Sequence, residues 1–380
     1  EKPDGCSYCW KIEAMGKDFV SDRHIKTTSI YNEERLAEIK QNGADLNVNP
    51  EYIEISFSNE CNFKCGYCHP KASSRYWNEI KQHGPYSMST KHRQDIDWFK
   101  VYKKEEENPY VKAWWEWWPE VSKTLNILRI TGGEPLMHKS LWDLFDKLEA
   151  DPKPNIQIEV NSNMGVKPKL VEKLTETVLR LKEKNCIKSF KLYTSIDNWG
   201  PKAEYIRTGL DLKVWEKNLD YFLSNTPFSV IFMITFNIFS VTGFDSLLEK
   251  ILEWRYKYNG IVEPQVRWQK VQFDTPHLKE PHMYDMNILP KKEFMPYMEK
   301  HLQFMHDYQD DRDRTKFSSL EVEKFRRVVE YMRTTKMDPA QKDIARRDFH
   351  RWFTEHDKRR DCNLVETFPE LEKFYNDYKA

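Results

Sequence analysis

Between residues 52 and 271 the chain alternates short β-branched, apolar runs with amphipathic stretches, and this alternation constrains the fold more than any other feature. Strand-type runs fall at 52–57, 127–131, 155–160, 189–194, 228–236 and 264–271. Helical periodicity fills 140–149, 168–184, 212–223 and 243–258. Strands separated by helices of roughly 10–15 residues imply βαβ units and a parallel sheet. Each such crossover is right-handed, because a right-twisted strand lets the helix pack back on the sheet only that way. Six strands are too few to close an eight-stranded barrel. The expected fold class is therefore α/β, a partial (β/α)6 TIM-like barrel. The expected flanks are an N-terminal Cys-containing extension over 1–50 and a helical C-terminal region over 276–380, with the barrel at 51–275. In the C-terminal region Phe325, Val328, Val329 and Met332 share one face at helical spacing. Residues 71–125 read as an insertion plus a helix, and Trp114, Trp115, Trp117 and Trp118 would pack that helix on the barrel.

Charge and cysteine usage exclude several function classes. Lys+Arg and Asp+Glu are both 60 in 380 residues, so no nucleic-acid or anionic-membrane partner is expected. The longest apolar stretch, 230–241, is interrupted by Thr235, Asn237 and Ser240. No membrane span is therefore expected. Seven cysteines, an odd count at uneven spacing, make a poor disulfide framework. A reducing, cytoplasmic setting is expected instead. The chain opens on Glu1 rather than Met, so it is expected to begin inside a longer protein.

In a parallel barrel the chemistry sits at the C-terminal ends of the strands. The informative residues fall there: Cys61-Asn-Phe-Lys-Cys65-Gly-Tyr-Cys68 after the first strand, Gly132-Gly133-Glu134-Pro135 after the second, Asn161 and Asn163 after the third, Ser195 and Asp197 after the fourth. Three thiolates on one tight loop can hold three irons of a cubane and leave the fourth open. Other readings exist for the loop. Cys61, Cys65 and Cys68 match one face of a helix, but Gly66 and Pro70 oppose a helix there. Zinc would need His69 as a fourth ligand, and adjacency to Cys68 makes a shared tetrahedral centre awkward. A fully ligated electron-transfer cluster would need another cysteine, and Cys186 and Cys362 are distant in sequence.

Cys-x3-Cys-x2-Cys with Tyr67 before the last cysteine, followed by Gly-Gly-Glu-Pro after the next strand, resembles the radical S-adenosylmethionine (radical SAM) superfamily. The wider wording is similar to its SPASM/twitch-type branch. The phrases are Cys6-x2-Cys9 with Glu13 and Gly16, Ser73-Ser74 after the loop, Leu128 to Leu136, and Thr367 to Leu371.

The resemblance implies that Cys61, Cys65 and Cys68 ligate a [4Fe-4S] cluster whose open iron binds S-adenosyl-L-methionine. A flavodoxin- or ferredoxin-like donor would supply an electron. Reductive cleavage would give a 5′-deoxyadenosyl radical that abstracts hydrogen from a peptide or small polar substrate. SAM-derived group transfer, or a non-catalytic iron–sulfur or zinc protein, are the alternatives. Gly132 and Gly133 would let backbone approach the methionyl amine, and Glu134 would face its charge. Tyr67 would flank the adenine. Asn161, Asn163, Ser195 and Asp197 would serve the ribose and methionyl head, and Arg207 would pair with the SAM carboxylate. Cys6 and Cys9 are the candidates for a second cluster. Thr235, Asn237, Arg267, Gln269 and Gln272 are expected to face the substrate. His277 and His282 flank a proline-rich turn and close the site at most.

Overall fold

The computed structural model describes residues 7–14, 21, 33–43, 48–89, 94–97, 108–260 and 269–379. Six strands form one sheet in sequential order: β1 (Tyr52–Ser56), β2 (Ile127–Thr131), β3 (Lys153–Ser162), β4 (Ile187–Ser195), β5 (Ser229–Met233) and β6 (Val271–Asp274). Every neighbouring pair is parallel. Sequential order with right-handed crossovers puts the connecting helices on one side and curls the other into a concave wall. The open α/β partial barrel expected from the sequence is the architecture observed.

Helices α1 (Ser7–Glu13) and α2 (Glu33–Asn42) precede the sheet, and α3 (Ser74–His83) and α4 (Pro109–Val121) lie between β1 and β2. The crossover helices are α5 (Lys139–Ala150), α6 (Pro168–Glu183), α7 (Pro201–Ile206), α8 (Leu212–Asn225) and α9 (Phe244–Tyr258). After β6 come α10 (Lys291–Asp307), α11 (Ser319–Thr334), α12 (Pro339–Arg360), α13 (Leu364–Thr367) and α14 (Glu372–Asp377). Among the described residues no helix is long and apolar enough to cross a membrane.

Strand alternation sorts the two faces of the sheet. Leu128, Ile130, Ile158, Val160, Leu192 and Phe232 are buried under the helices. Phe190 meets Phe222 of α8 with ring centroids 6.1 Å apart, and Phe232 lies 5.2 Å from Trp254 of α9. The opposite face is polar. Glu54, Arg129, Glu159 and Lys191 stand in register across β1 to β4, with charge alternating from strand to strand. Opposite charges on adjacent strands are mutually stabilising, and they give the concave wall a polar lining.

Two strand expectations shift. The last strand, expected over 264–271, runs over Val271–Asp274, and 264–268 lie outside the described residues. Both stretches alternate apolar and polar residues, so period alone could not choose the register. The fifth strand ends at Met233 rather than 236. Beyond it Asp197 accepts from the Thr235 amide at 2.8 Å and Asn237 donates to the Thr235 carbonyl at 2.8 Å, while Ile234 and Phe236 still donate to the Asp274 and Pro276 carbonyls and an isolated parallel bridge joins Phe236 to His277. The face of Phe325, Val328, Val329 and Met332 is buried on α11. A Ser318–Glu321 capping box starts that helix, and Arg255 of α9 pairs with Glu321 at 2.5 Å.

Candidate active site

The cysteine loop is held by its own sequence. Ser73 caps α3, accepting from the Tyr76 amide at 3.2 Å, and donates to the Phe63 carbonyl at 2.7 Å. The Cys61 amide donates to Ser74 Oγ at 3.1 Å, and the Lys64 amide to the Thr208 carbonyl at 2.9 Å. From α12, Arg360 donates to the Lys64 carbonyl at 2.6 Å while pairing with Glu79 at 3.1 Å. Trp352 of the same helix and Tyr284 close on Gly66, where a Cβ would lie 2.1 Å from Tyr284 Oη and 2.4 Å from the Trp352 ring. Trp114 of α4 sits 6.2 Å from Phe57, so that tryptophan packs its helix against the start of this loop.

The glycine loop after β2 is pressed on the cysteine loop. Glu134 N–H donates to the Glu60 carbonyl at 2.7 Å. Gly133 has φ +53°, and a Cβ there would lie 2.3 Å from Glu60 O. The space these glycines vacate is filled by Ser56 at the end of β1 and by the loop that follows it. Gly133→Ala combines a left-handed backbone with a clash against main chain, a cost on the order of 2 kcal/mol or more. Urea melts should show that loss.

Glu134 does not face the opening. Its carboxylate is fully buried and accepts from the Asn163 amide at 2.6 Å, Ser162 Oγ at 2.9 Å and the Leu136 amide at 3.1 Å. Expected to offer charge to an ammonium, it here fastens the β2 and β3 ends with its oxygens. Burial pushes its pKa from 4.5 up to about 7, against the pull of these donors. Between those values the unfolded chain releases a proton that the folded one keeps. Stability from this group is therefore full below pH 4.5 and falls until about 7. Glu134→Gln should flatten a slope on the order of 3 kcal/mol in the difference between the two proteins' urea stabilities at pH 4.5 and 7.5.

Asn163 donates to Asn62 Oδ1 at 2.8 Å and lies 3.8 Å from Cys61 Sγ. Asn62 in turn donates to the Gly165 carbonyl at 2.8 Å. Asn161 points deeper, accepting from Arg129 Nε at 2.9 Å. Ser195 is half-buried at the end of β4, paired through its backbone with β5 opposite Met233. Asp197 is fully buried and is the hub of the site. It accepts from Tyr67 Oη at 2.7 Å, Arg207 Nη2 at 3.0 Å and the Thr235 amide at 2.8 Å, with Arg207 Nε 2.9 Å away. Burial works against the Arg207 charge, and Asp197 more than offsets it, holding the pKa above its ordinary value. Arg207 Nη1 reaches to 3.9 Å from Cys65 Sγ. Arg207, expected to pair with a SAM carboxylate, here directs its fork at Asp197. Burial pushes the Tyr67 hydroxyl up and the Cys61 thiol up to about 12. It also raises Cys65, with Arg207 opposing.

A cavity of about 370 Å³ opens beside Cys68, lined by Gly66, Tyr76, Met88, His282, Met283 and Trp352 among others. It lies between the loop after β1 and the segment after β6, the two edges of the sheet. His282 Nε2 sits 2.7 Å from Asp348 Oδ2, and Ser89 Oγ donates to Asp348 Oδ1 at 2.8 Å. Asp348 escaped the sequence reading. Its signal is an acidic residue on the apolar face of α12, between Ala345 and Phe349. His277 instead stacks on Tyr331 at 4.0 Å, kept neutral by burial, which lowers it to about 4. Asn237 is fully buried in its own turn, Gln272 donates to the Gln269 carbonyl, and Arg267 lies outside the described residues. Cys9 is free, and Cys6 and Gly16 lie outside the described residues.

The loop thiols suit a cluster better than a single ion. Cys61, Cys65 and Cys68 stand on one loop and none of them forms a disulfide. One tetrahedral ion would need ligand atoms roughly 3.3–3.7 Å apart. A cubane takes each sulfur at a different corner.

A family model described as the radical SAM superfamily matches residues 55–237. GTP 3′,8-cyclase of Sulfurovum sp. (strain NBC37-1) is 28% identical over 155 residues, which is 41% of this chain and 36% of that protein. GTP 3′,8-cyclase of Campylobacter curvus (strain 525.92) is 30% identical over 113 residues, 30% of this chain and 27% of that protein. The match thus spans about a third of these relatives' length. Among solved structures, Streptococcus suis SuiB aligns over 80% of this chain and 57% of its own at 17% identity and a TM-score of 0.43. Native anSMEcpe with bound AdoMet and Kp18Cys peptide aligns over 70% and 63% at 15% identity and a TM-score of 0.41. The cysteine loop, the glycine turn and the strand ends from β1 to β5 all fall inside the matched stretch, so the chain carries a radical SAM superfamily domain over residues 55–237 and is an enzyme.

Proposed function

We propose that this enzyme, of the SPASM/twitch-type branch, cleaves S-adenosyl-L-methionine reductively and abstracts hydrogen from a peptide or small polar substrate. Cys61, Cys65 and Cys68 would hold the [4Fe-4S] cluster. When bound, cluster and SAM supply a carbon-centred radical from the sulfonium; the chain supplies position and exclusion of water. The observation that carries the reading is the packing of two loops. The glycine turn lies directly on the cysteine loop, and its half-buried backbone faces the same strand ends as Tyr67 and Ser195. Those groups remain for the cofactor once Glu134, Asp197 and Arg207 have engaged one another and the loops. Glu54, Arg129, Glu159 and Lys191 on the concave wall favour a polar substrate. An electron from a flavodoxin- or ferredoxin-like donor in a reducing cytoplasm completes the scheme, and free cysteines accord with that setting.

The test is anaerobic reconstitution with iron and sulfide, then incubation with SAM and a strong reductant. The expected product is 5′-deoxyadenosine, quantified by mass spectrometry. A loaded cluster that releases none would overturn the proposal.

A further inference from the structure

The end of α12 holds a second cluster of ligand-type side chains. His356 Nδ1, Asp357 Oδ1 and Cys362 Sγ all lie within 4.8 Å of one another. The three sides of the triangle are 3.0 Å from nitrogen to oxygen, 3.7 Å from sulfur to nitrogen and 3.5 Å from sulfur to oxygen. A tetrahedral ion with bonds of about 2.0–2.1 Å to nitrogen and oxygen and about 2.3 Å to sulfur spaces its ligands roughly 3.3–3.6 Å apart. The triangle is one face of such a tetrahedron to within a few tenths of an ångström.

Hydrogen bonds alone serve this triangle poorly. Asp357 Oδ1 already accepts from Tyr205 Oη at 2.6 Å. With the ring proton on His356 Nδ1, that proton and the one on Cys362 Sγ would compete for an oxygen Tyr205 already occupies; with it on Nε2, Nδ1 can accept from Cys362 Sγ at 3.7 Å but faces Asp357 Oδ1 lone pair to lone pair at 3.0 Å. A single cation replaces both protons and serves all three atoms. The remaining contacts are those of a supported ligand set. Tyr205 orients one carboxylate oxygen, and the Leu364 amide donates to the other at 2.6 Å. The His356 ring is clamped between Trp352 at 4.9 Å and Tyr205 at 4.9 Å. Charge balances as well: an aspartate and a thiolate neutralise a divalent ion, and the nearby Arg360 is already paired with Glu79 at 3.1 Å. His356 is buried while Asp357 and Cys362 are half-buried, which leaves a path of entry.

We propose that His356, Asp357 and Cys362 bind one divalent transition-metal ion, zinc by the nitrogen, oxygen and sulfur set, with water in the fourth position. The ion fastens the end of α12 to Tyr205 of α7. It thereby steadies Arg360 and Trp352, which hold the cysteine loop from the other side. The site is separate from Cys61, Cys65 and Cys68 and does not depend on them.

Cobalt(II) is the probe. The full chain with Cys6, Cys9, Cys61, Cys65 and Cys68 each replaced by Ser keeps Cys186, which is buried in the core, and Cys362. Anaerobic titration should give about one cobalt per chain with a thiolate-to-cobalt charge-transfer absorption. Adding Cys362→Ser should abolish that absorption. In the unaltered chain, stripped with chelator, zinc should raise the melting temperature, and His356→Gln should remove the shift. A folded five-serine chain that takes up cobalt with no charge-transfer band would overturn the proposal. So would a zinc-independent melting temperature in the unaltered chain, should the five-serine chain not fold.

Discussion

Cys65→Ala is expected to take 5′-deoxyadenosine formation to background and to leave the reconstituted chain without the about four irons of a cubane. Cys65 is the central thiol of the loop and the most enclosed of the three, 8% exposed with Arg207 beside it. Neither Cys186 nor Cys362 can stand in. Cys186 is buried in the core at the start of β4, and Cys362 is committed to the end of α12 beside Asp357. Two thiolates and a methyl group leave a second iron unligated and the cluster open to loss. The milder variant Asn163→Ala removes the amide between Cys61 and Asn62 while leaving all three thiols, and should lower activity by about 10–100-fold, the usual effect of losing a ligand's supporting partner. Equal 5′-deoxyadenosine from the parent and Cys65→Ala proteins would mean that the loop is not the seat of the chemistry. Iron and zinc counts separate the two sites: a loaded cubane plus zinc at His356, Asp357 and Cys362 gives about four irons and one zinc per chain, and Cys65→Ala should retain the zinc.

The frame of the barrel was legible because strands and helices differ in period. Residues 127–131 and 168–184 carry patterns of 2.0 and 3.6 that nothing else satisfies. The last strand was not, since 264–268 and 271–274 each alternate, out of phase across Gln269-Lys270, and only pairing with Val230–Met233 selects Val271–Asp274. The strand ends were legible as places where polar residues gather, but not as individual contacts. Asn163, Asp197 and Arg207 have the chemistry to hold a ligand, and in the structure they hold one another and the loops. Sequence shows which groups are polar; it does not show that Thr235 N–H and Tyr67 Oη converge on one buried carboxylate from 38 and 130 residues away. Asp348 and Arg360 were missed for the same reason. Both sit on α12, and their partners His282 and Lys64 come from the segment after β6 and the loop after β1. Contacts of such separation leave no local signature.

Arg207→Met is expected to destabilise the chain by about 3–5 kcal/mol, because it strands the Asp197 carboxylate in a buried site. Asp197 is 0% exposed and Arg207 6%, so water cannot replace the lost partner. Tyr67 Oη and the Thr235 amide remain as donors, but neither carries charge. Asp197→Leu should cost a similar amount by leaving the guanidinium unpaired beside Cys65. The double variant should be markedly more stable than the sum of the two losses, since two apolar side chains of similar size bury without a stranded charge. Urea denaturation of the four proteins measures the coupling directly. The cycle also separates positioning from ligand contact. If Arg207 served chiefly to grip a SAM carboxylate, Arg207→Met would melt like the parent and lose only SAM affinity. If it acts through Asp197 and Tyr67, stability falls first, and the double variant regains stability without regaining SAM cleavage, because the loop holding Cys65 and Tyr67 has lost the hub that positions it.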